Sequence, residues 1–484
     1  MLSISLFIFF AFYKLGSDMY NSDATFWYER SVGFMDAILN FNLKDTYQNP
    51  KPGVTVYWLS GSAIKMFFYI YELVRGYTPE FYAYYTFRYL HFAAKFPLVL
   101  LGVLGSLFFY FILKKLFGNV FALLAFSLLV FQPFYLAVLR FFHGDGTLMI
   151  LMGVSAVSLI YFLISEKKFY LFFSAVIAGL AFLTKTQAIF LYLYAGLIFF
   201  LDYLIFKGRT FKQSLGLGIV WMLISFGTIF ITFPAMWVSA YEVTTDIFRE
   251  AFFVASIGNN SDGGDNAIYF RGMFVLLNYF NFVFAPVGFI LILLTFKKLT
   301  RDEIKLYLYS FLFLFFYVLQ MLIVFQKGIR YLSPIYFFVS IFAAFGIHFF
   351  VKNLKLNFQL LVILFITLSA SLNLISIAPH YSARSELSEQ RSWGALSIEA
   401  ADYLNSKSGA VDLKAMVEPR PQSFRPFFYG KTYNKNETIP NNWTLNYLVL
   451  GPNAVVAHEC FENKTLEKQI IFKNAVYWEI WKCN

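Results

Sequence analysis

The chain has 484 residues, of which 59% are hydrophobic and only 14% are charged. Its apolar runs repeatedly approach the ~20 residues that a helix needs to cross a bilayer. The composition therefore excludes an ordinary water-soluble protein and predicts an α-helical polytopic membrane protein. The formal net charge of +11 does not indicate a nucleic-acid partner, because the lysines and arginines fall in short clusters between the apolar runs.

The first predicted element is a membrane helix over residues 2–15, which is shorter than a normal span. Either it tilts or thins the bilayer, or the true start of the chain lies upstream. A first extracytoplasmic loop, 16–87, follows; its segment 54–71 is amphipathic and suits the membrane interface. The hydropathy pattern predicts about eleven spans in a membrane domain of residues 1–377. After the first helix these are 88–113, 119–138, 146–164, 170–184, 187–206, 214–233, 272–296, 306–325, 334–351 and 358–377.

The positive charges predict the orientation of the spans. If the N-terminus is cytoplasmic, every loop on that side is short and basic, as at Lys114-Lys115 and Lys297-Lys298. The opposite side then receives all the loops with unusual polar residues. Charged groups beside a bilayer are costly unless they pair or serve a solvated cavity, so we expect these loops to share one cavity on the extracytoplasmic face of the cell membrane.

The stretch 22–58, SDATFWYERSVGFMDAILNFNLKDTYQNPKPGVTVYW, carries carboxylates and a Lys-Pro turn directly after the first helix. Asp23 and Glu29 are six residues apart around an aromatic cluster, and Lys51-Pro52-Gly53 follows. One interpretation is structural, because Asp is a favoured N-cap residue and Lys51-Pro52 can form a turn. The other is that this stretch is the first half of an active site.

The order D-A-T-F-W-Y-E-R-S and then K-P-G-V-T-V-Y-W resembles the first-loop signature of GT-C membrane glycosyltransferases, in the protein O-mannosyltransferase and aminoarabinose-transferase group. The resemblance implies a GT-C fold whose site opens to the extracytoplasmic face, with an acidic residue of this loop in catalysis. It assigns that role to Asp23, with Glu29 as the alternative, and a phosphate-binding role to Lys51. Gly53 departs from the commoner Lys-Pro-Pro.

A second carboxylate, Asp145, lies in Arg140-Phe-Phe-His-Gly-Asp-Gly at the outer start of the fourth span. It resembles the acidic residue of the family's second loop and is the other catalytic candidate. The alternatives are an N-cap for Asp145 and a solvated loop residue for His143.

Three further residues are candidates for binding a phosphate. Lys185 ends the fifth span in an L-x-K element, and Arg330-Tyr331 begins an R-Y-L-x-P segment; both elements resemble the family's. The alternative for each cation is a side chain that snorkels to the membrane interface. The loop 234–271 is long and polar, which suits a lid; it contains Trp237, Glu242, Asp246, Asn259, Asn260 and Arg271.

From residue 378 the composition becomes that of a soluble domain, which extends to residue 484. The pattern predicts a helix at 392–405 and strands at 411–417, 447–450 and 476–481, hence a small extracytoplasmic α/β domain. It resembles the C-terminal domains of bacterial and archaeal members of the family. Cys460 and Cys483 belong to no metal or redox motif, and whether they pair stays open.

The resemblance implies a glycosyltransferase that moves a sugar from a polyprenyl-phosphate donor to an extracytoplasmic protein, lipid or glycan, with inversion. Asp23 would be the general base. We expect no cofactor and no metal requirement, because no metal-ligand spacing is present. One alternative is a multi-pass transporter or a lipid or glycan flippase, which should show internal repeats that this sequence lacks. Another is a polysaccharide polymerase or ligase, which would need no Asp23 and Lys51 pair.

Overall fold

Long apolar helices form most of the structure. The computed structural model describes residues 2–21, 23–256, 277, 279–325, 327–378, 380–381, 395–435, 437, 444–451, 454, 459–472 and 474–484. Within these residues, eight helical stretches are long and apolar enough to cross a membrane, and two shorter apolar helices accompany them. The predicted helical membrane architecture is confirmed, whereas the number of crossings stays a prediction.

The helices of the membrane domain follow one another with short connections for most of its length. Their bounds are α1 Leu2–Phe12, α2 Ala24–Leu39, α3 Ser62–Arg75, α4 Tyr84–Val130, α5 Pro133–Arg140, α6 Gly144–Ser165, α7 Lys168–Thr184, α8 Phe190–Leu201, α9 Phe211–Thr232, α10 Ala235–Ser256, α11 Tyr279–Thr295, α12 Arg301–Ile323, α13 Tyr336–Val351 and α14 Leu356–Ile375.

Helix α4 contains one predicted span and the start of the next. Gly118 interrupts it with a left-handed φ of 80°, a conformation that glycine adopts without steric cost. The predicted span 119–138 is wrong at its C-terminal end, because the helix stops at Val130 and α5 begins separately at Pro133. Proline lacks the N–H that would continue a helix, and it holds Gln132 in an extended conformation.

Helix α6 lies at the centre of the bundle, where 94% of its membrane-spanning window is buried. It packs closely against α13, because a Cβ atom on Gly153 would lie 2.4 Å from the Phe337 ring. The N-terminal end of this central helix carries Asp145. Among the membrane-spanning helices that the structure describes, the second candidate carboxylate therefore lies on the most enclosed one.

The first part of the predicted loop 234–271 is helical, because α10 occupies it. Val243 and Ile247 are buried four residues apart, which gives the helix one apolar face. Trp237, Glu242 and Asp246 lie on this helix, while Asn259, Asn260 and Arg271 lie outside the described residues.

The C-terminal domain contains a five-stranded sheet of order β2-β1-β3-β5-β4. Strand β1 is parallel to β2 and β3, while β5 is antiparallel to β3 and β4. The disulfide Cys460–Cys483 joins α16 to the end of β5. The elements are α15 Ser397–Asn405, β1 Lys414–Glu418, β2 Lys431–Tyr433, β3 Tyr447–Leu450, α16 Glu459–Glu462, β4 Lys464–Phe472 and β5 Ala475–Cys483.

The C-terminal domain packs directly on the first loop. Phe427 lies edge-on to Tyr20 and Phe87 at centroid distances of 5.9 and 5.3 Å, and Arg88 forms an ion pair with Asp402. One hydrophobic cluster includes buried residues from both domains. The first loop and the C-terminal domain therefore lie at the same end of the membrane bundle.

Candidate active site

The first loop presents one carboxylate at the start of α2. Asp23 occupies the N-cap position, but its side chain makes no capping hydrogen bond. Its backbone N–H is held instead by Asn21 Oδ1 at 3.0 Å. The Asp23 side chain is 38% exposed, and its Oδ2 lies 3.6 Å from His143 Nε2 and 3.9 Å from Arg330 Nη1. These contacts are long, so the carboxylate has room to accept a closer hydrogen bond.

The second carboxylate, Asp145, has a different environment. The N-cap of α6 is His143, whose Nδ1 accepts a hydrogen bond from the Asp145 backbone N–H at 3.3 Å. The Asp145 side chain is only 2% exposed; it forms ion pairs with Lys185 and, at 3.1 Å, with Arg330 Nε. Its charge is also favoured by the N-terminal end of a helix dipole. Asp145 is thus enclosed by partners.

The two cations come from connections at the same end of other helices. Lys185 follows the last residue of α7, and Arg330 lies in a 3₁₀ turn, Ile329–Ile335, that leads into α13. The Tyr331 ring lies beside both, 4.7 Å from Lys185 Nζ and 5.3 Å from the Arg330 guanidinium carbon. Arg330 reaches both carboxylates, because it also contacts Asp23.

The charges of this cluster balance. Two carboxylates, Asp23 and Asp145, face two cations, Lys185 and Arg330. Burial lowers the pKa of the His143 imidazole below its ordinary value, although Asp145 opposes the shift, so His143 is neutral at pH 7. A phosphate that entered the site could bind Lys185 and Arg330, which both pair with the buried Asp145. The exposed side of the Asp23 carboxylate would stay available to a proton donor.

The structure does not bring Glu29 to this cluster. Glu29 is exposed and lies within electrostatic range of Tyr20 and Tyr82. A six-residue separation turns a helix by roughly 240°, so Asp23 and Glu29 point in different directions. Glu29 was the alternative to Asp23 as the catalytic acidic residue of the first loop, and its position is less favourable for that role.

Lys51 lies at the edge of the site and has another partner. Its ammonium is half-exposed and lies 3.3 Å from Glu250 of α10. The turn itself borders the cluster, because a Cβ atom on Gly53 would lie 2.7 Å from the Trp27 ring, and Trp27 packs edge-on to His143 at 5.0 Å.

Trp27 and Glu250 were not among the predicted site residues. Helical spacing relates each of them to a residue that was named, but it does not show which distant segment they contact. Trp27 is four residues after Asp23 and so lies on the same helical face. Glu250 continues a four-residue series with Glu242 and Asp246, and the series meets residues of the first loop. Glu242 lies 3.3 Å from Lys44 Nζ.

Comparisons with known proteins agree with this architecture. The model of the family described as dolichyl-phosphate-mannose-protein mannosyltransferase matches residues 83–237. No curated protein sequence matches the chain. The crystal structure of ArnT from Cupriavidus metallidurans in the apo state is 12% identical, with a TM-score of 0.54, covering 99% of this chain and 97% of that one.

Two other crystal structures have a TM-score of 0.50 and are also 12% identical. One is ArnT from Cupriavidus metallidurans bound to undecaprenyl phosphate, covering 99% of this chain and 97% of that one. The other is the Archaeoglobus fulgidus oligosaccharyltransferase in the apo form, covering 92% of this chain and 69% of that one. The predicted GT-C fold is confirmed, and so is the resemblance to the superfamily.

Proposed function

We propose that this chain is a GT-C membrane glycosyltransferase and that it transfers a sugar from a polyprenyl-phosphate donor to a hydroxyl of an extracytoplasmic protein, lipid or glycan. The mannosyltransferase family model over residues 83–237 and the fold shared with ArnT support the proposal. One observation carries the proposal: the partly exposed Asp23 carboxylate lies beside two cations whose own counter-charge, Asp145, is buried. The undecaprenyl phosphate bound by an ArnT of the same fold supports a donor of this class.

Asp23 acts as the general base. The acceptor hydroxyl donates a hydrogen bond to the exposed side of the carboxylate, and its proton passes to Asp23 as its oxygen attacks the anomeric carbon. The bond between that carbon and the phosphate oxygen breaks, and the phosphate leaves with the electron pair. Direct displacement of this kind inverts the anomeric centre. A positioned base contributes about 10²- to 10⁴-fold to the rate.

Lys185 and Arg330 stabilise the charge that develops on the leaving phosphate. Cations fixed before the reaction cost no reorganisation when that charge appears, and the ion pairs with Asp145 fix both of them. Lys51 adds a third cation from the edge of the site once it leaves Glu250. Because these cations supply the positive charge that the reaction needs, we propose that transfer requires no metal ion.

The site faces the outside of the cell membrane in this proposal. The C-terminal domain contains a disulfide, Cys460–Cys483, and disulfides persist in oxidising, extracytoplasmic compartments. That domain packs on the first loop, so Asp23 lies at the same end of the bundle. The basic loops at the other end agree with a cytoplasmic position.

The test uses purified Asp23→Asn in lipid nanodiscs. Membranes from cells that lack the gene supply donor and acceptor, and mass spectrometry follows the glycosylated product. Asn keeps the volume of Asp, so we expect insertion and undecaprenyl-phosphate binding to persist while the rate falls by at least ~10²-fold. The control, Glu29→Gln, should stay active.

Retention of more than about a tenth of the wild-type rate by Asp23→Asn, which is less than the ~10²-fold loss expected for a missing base, would exclude Asp23 as the base. An inactive Glu29→Gln would move the role to Glu29. Translocation of a polyprenyl-linked lipid with no new glycosidic bond would favour the flippase or transporter instead.

A further inference from the structure

A buried cluster of charged side chains includes a residue that is close in sequence to Asp23. Asp18, five residues before Asp23, accepts hydrogen bonds from Lys95 Nζ at 2.6 Å and from Arg140 Nε and Nη2 at 3.1 and 3.0 Å. The three side chains are between 1% and 4% exposed. Burial raises the pKa of the Asp18 carboxyl, but Lys95 and Arg140 outweigh burial and hold it well below its ordinary value. Asp18 is therefore ionised.

Arg140 also binds the end of α1. Its Nη1 donates to the carbonyl oxygens of Phe10 and Ala11 at 2.7 and 3.2 Å, and its Nη2 donates to that of Tyr13 at 2.8 Å. The last carbonyls of a helix have no partner within it and carry partial negative charge. They offset the second positive charge, which Asp18 alone could not balance, and they anchor the chain where the first loop begins.

This cluster joins the two segments that lead into the candidate catalytic carboxylates. Asp18 belongs to the connection between α1 and α2, which ends at Asp23. Arg140 is the last residue of α5 and stands directly before the short turn that leads into α6, whose second residue is Asp145. The ion pair between Asp18 and Arg140 therefore fixes one segment against the other.

Asn21 forms a second connection between the same segments. Its Nδ2 donates to the carbonyl oxygen of Phe142 at 3.3 Å, while its Oδ1 accepts the N–H of Asp23. Asn21 is buried, so water does not compete for these bonds. Phe142 directly precedes His143. The Asn21 side chain therefore links the backbone of Asp23, the proposed base, to the turn between α5 and α6.

We propose that Asp18, Arg140 and Asn21 are positioning residues that set the separation between the Asp23 carboxylate and the connection that carries His143 and leads to Asp145 at the start of α6. The inference rests on the proposed function of Asp23 as general base. A buried ion pair adds little stability, because desolvation offsets much of its attraction. Its value here is geometric, since the guanidinium holds its donors in a fixed fork, and a misplacement of ~1 Å in a reacting group can cost about 10²-fold in rate.

A cluster of the same composition at the other end of the bundle provides a matched control. The buried Asp202 accepts from Arg209 Nη1 at 2.6 Å and lies 2.8 Å from Lys305 Nζ. Asp202 follows the C-terminal end of α8, whereas Lys185 lies before its N-terminal end. The control cluster is therefore about a helix length away from the site.

The experiment compares Arg140→Lys with Arg209→Lys in the full-length protein. Each variant keeps its charge and loses the planar fork. For Arg140→Lys we expect a rate 10- to 100-fold lower, an undecaprenyl-phosphate Kd within about twofold of wild type, since no lipid contact is changed, and faster hydrogen exchange in residues 13–21. For Arg209→Lys we expect a rate within about twofold of wild type, because the site is untouched.

A folded Arg140→Lys with a rate within about twofold of wild type, or an equal loss in Arg209→Lys, would overturn the inference. If Arg140→Lys does not fold, Asn21→Ala decides: a loss of ~10-fold or more supports positioning, and a smaller change contradicts it. Asp23→Asn is measured in parallel. An active Asp23→Asn refutes the proposed function, whereas an inactive one together with active Arg140→Lys and Asn21→Ala refutes positioning alone.

Discussion

The two candidate carboxylates should differ sharply in what they do for stability. Asp145→Asn removes the buried charge that Lys185 and Arg330 share, and an unpaired charge in the interior costs about 3–5 kcal/mol. We expect the lower end, about 3 kcal/mol, because both cations are partly exposed and can regain some water. Asp23→Asn should cost less than about 1 kcal/mol, because that side chain is 38% exposed and its two contacts are long.

The assay is thermal unfolding of both variants in the same nanodiscs, under one heating rate because membrane proteins often unfold irreversibly. A loss of about 3 kcal/mol in a chain of this size lowers the apparent Tm by about 3 °C. A double variant, Asp145→Asn with Lys185→Met, removes one charge of each sign and should recover part of that loss.

Equal Tm values for Asp145→Asn and wild type would refute the reasoning that a buried, shared counter-charge holds the two cations. A large loss of stability in Asp23→Asn would refute the reasoning that its carboxylate is loosely held. Activity alone separates neither outcome, because we expect both substitutions to slow transfer.

Three further predictions concern the donor, the orientation and metal dependence. Lys51→Ala should weaken undecaprenyl-phosphate binding with the fold intact. Glu250→Gln should strengthen that binding by at most about fivefold, since an exposed ion pair is worth up to ~1 kcal/mol. Unchanged Kd values in both variants would remove Lys51 from the site. A reporter fused after Ile377 should be extracytoplasmic and one fused at Leu299 cytoplasmic, and the reverse pair would put the site on the wrong side. EDTA should leave the initial rate unchanged, and a loss restored by a divalent cation would show a metal requirement.

The placement of the site at one end of the bundle could be predicted from the sequence. Lys185 and Arg330 each follow or precede an apolar run, and the distribution of positive charge assigned both to the same side as Asp23 and Asp145. The structure brings these four together within ion-pair distances. Successive spans place successive loops on alternate sides of the membrane, and the spans can be read locally from the sequence. This was sufficient to assign the four residues to one side.

Contacts between distant segments could not be predicted in this way. The pairing of Lys51 with Glu250 depends on how α10 packs against the first loop, and a single sequence contains no signal for such packing. Helix α10 itself was missed because its charged residues resembled those of a loop, although Val243 and Ile247 have helical spacing. The interruption at Gly118 and the start of α5 at Pro133, by contrast, are local effects of glycine and proline.

In the C-terminal domain, too, local features could be predicted from the sequence and contacts between distant segments could not. Strand β3 was predicted at its observed bounds because it is a continuous apolar run of YLVL, and all four of its residues are buried. Strand β4, KTLEKQIIF, was missed because it lies at the edge of the sheet with none of its residues buried and its polar composition is typical of a loop. The Cys460–Cys483 pairing depends on the sheet that brings the two residues together.

We propose that this chain forms a glycosidic bond outside the cell membrane and that Asp23 is required for it. Mass analysis of surface glycans and glycoproteins tests it most directly, in cells with the gene, without it, and with the gene restored as wild type or as Asp23→Asn. We predict that a defined sugar mass disappears without the gene, returns with the wild-type copy and stays absent with Asp23→Asn inserted at equal amounts. Identical surface glycans in all four strains, or full restoration by Asp23→Asn, would contradict the claim.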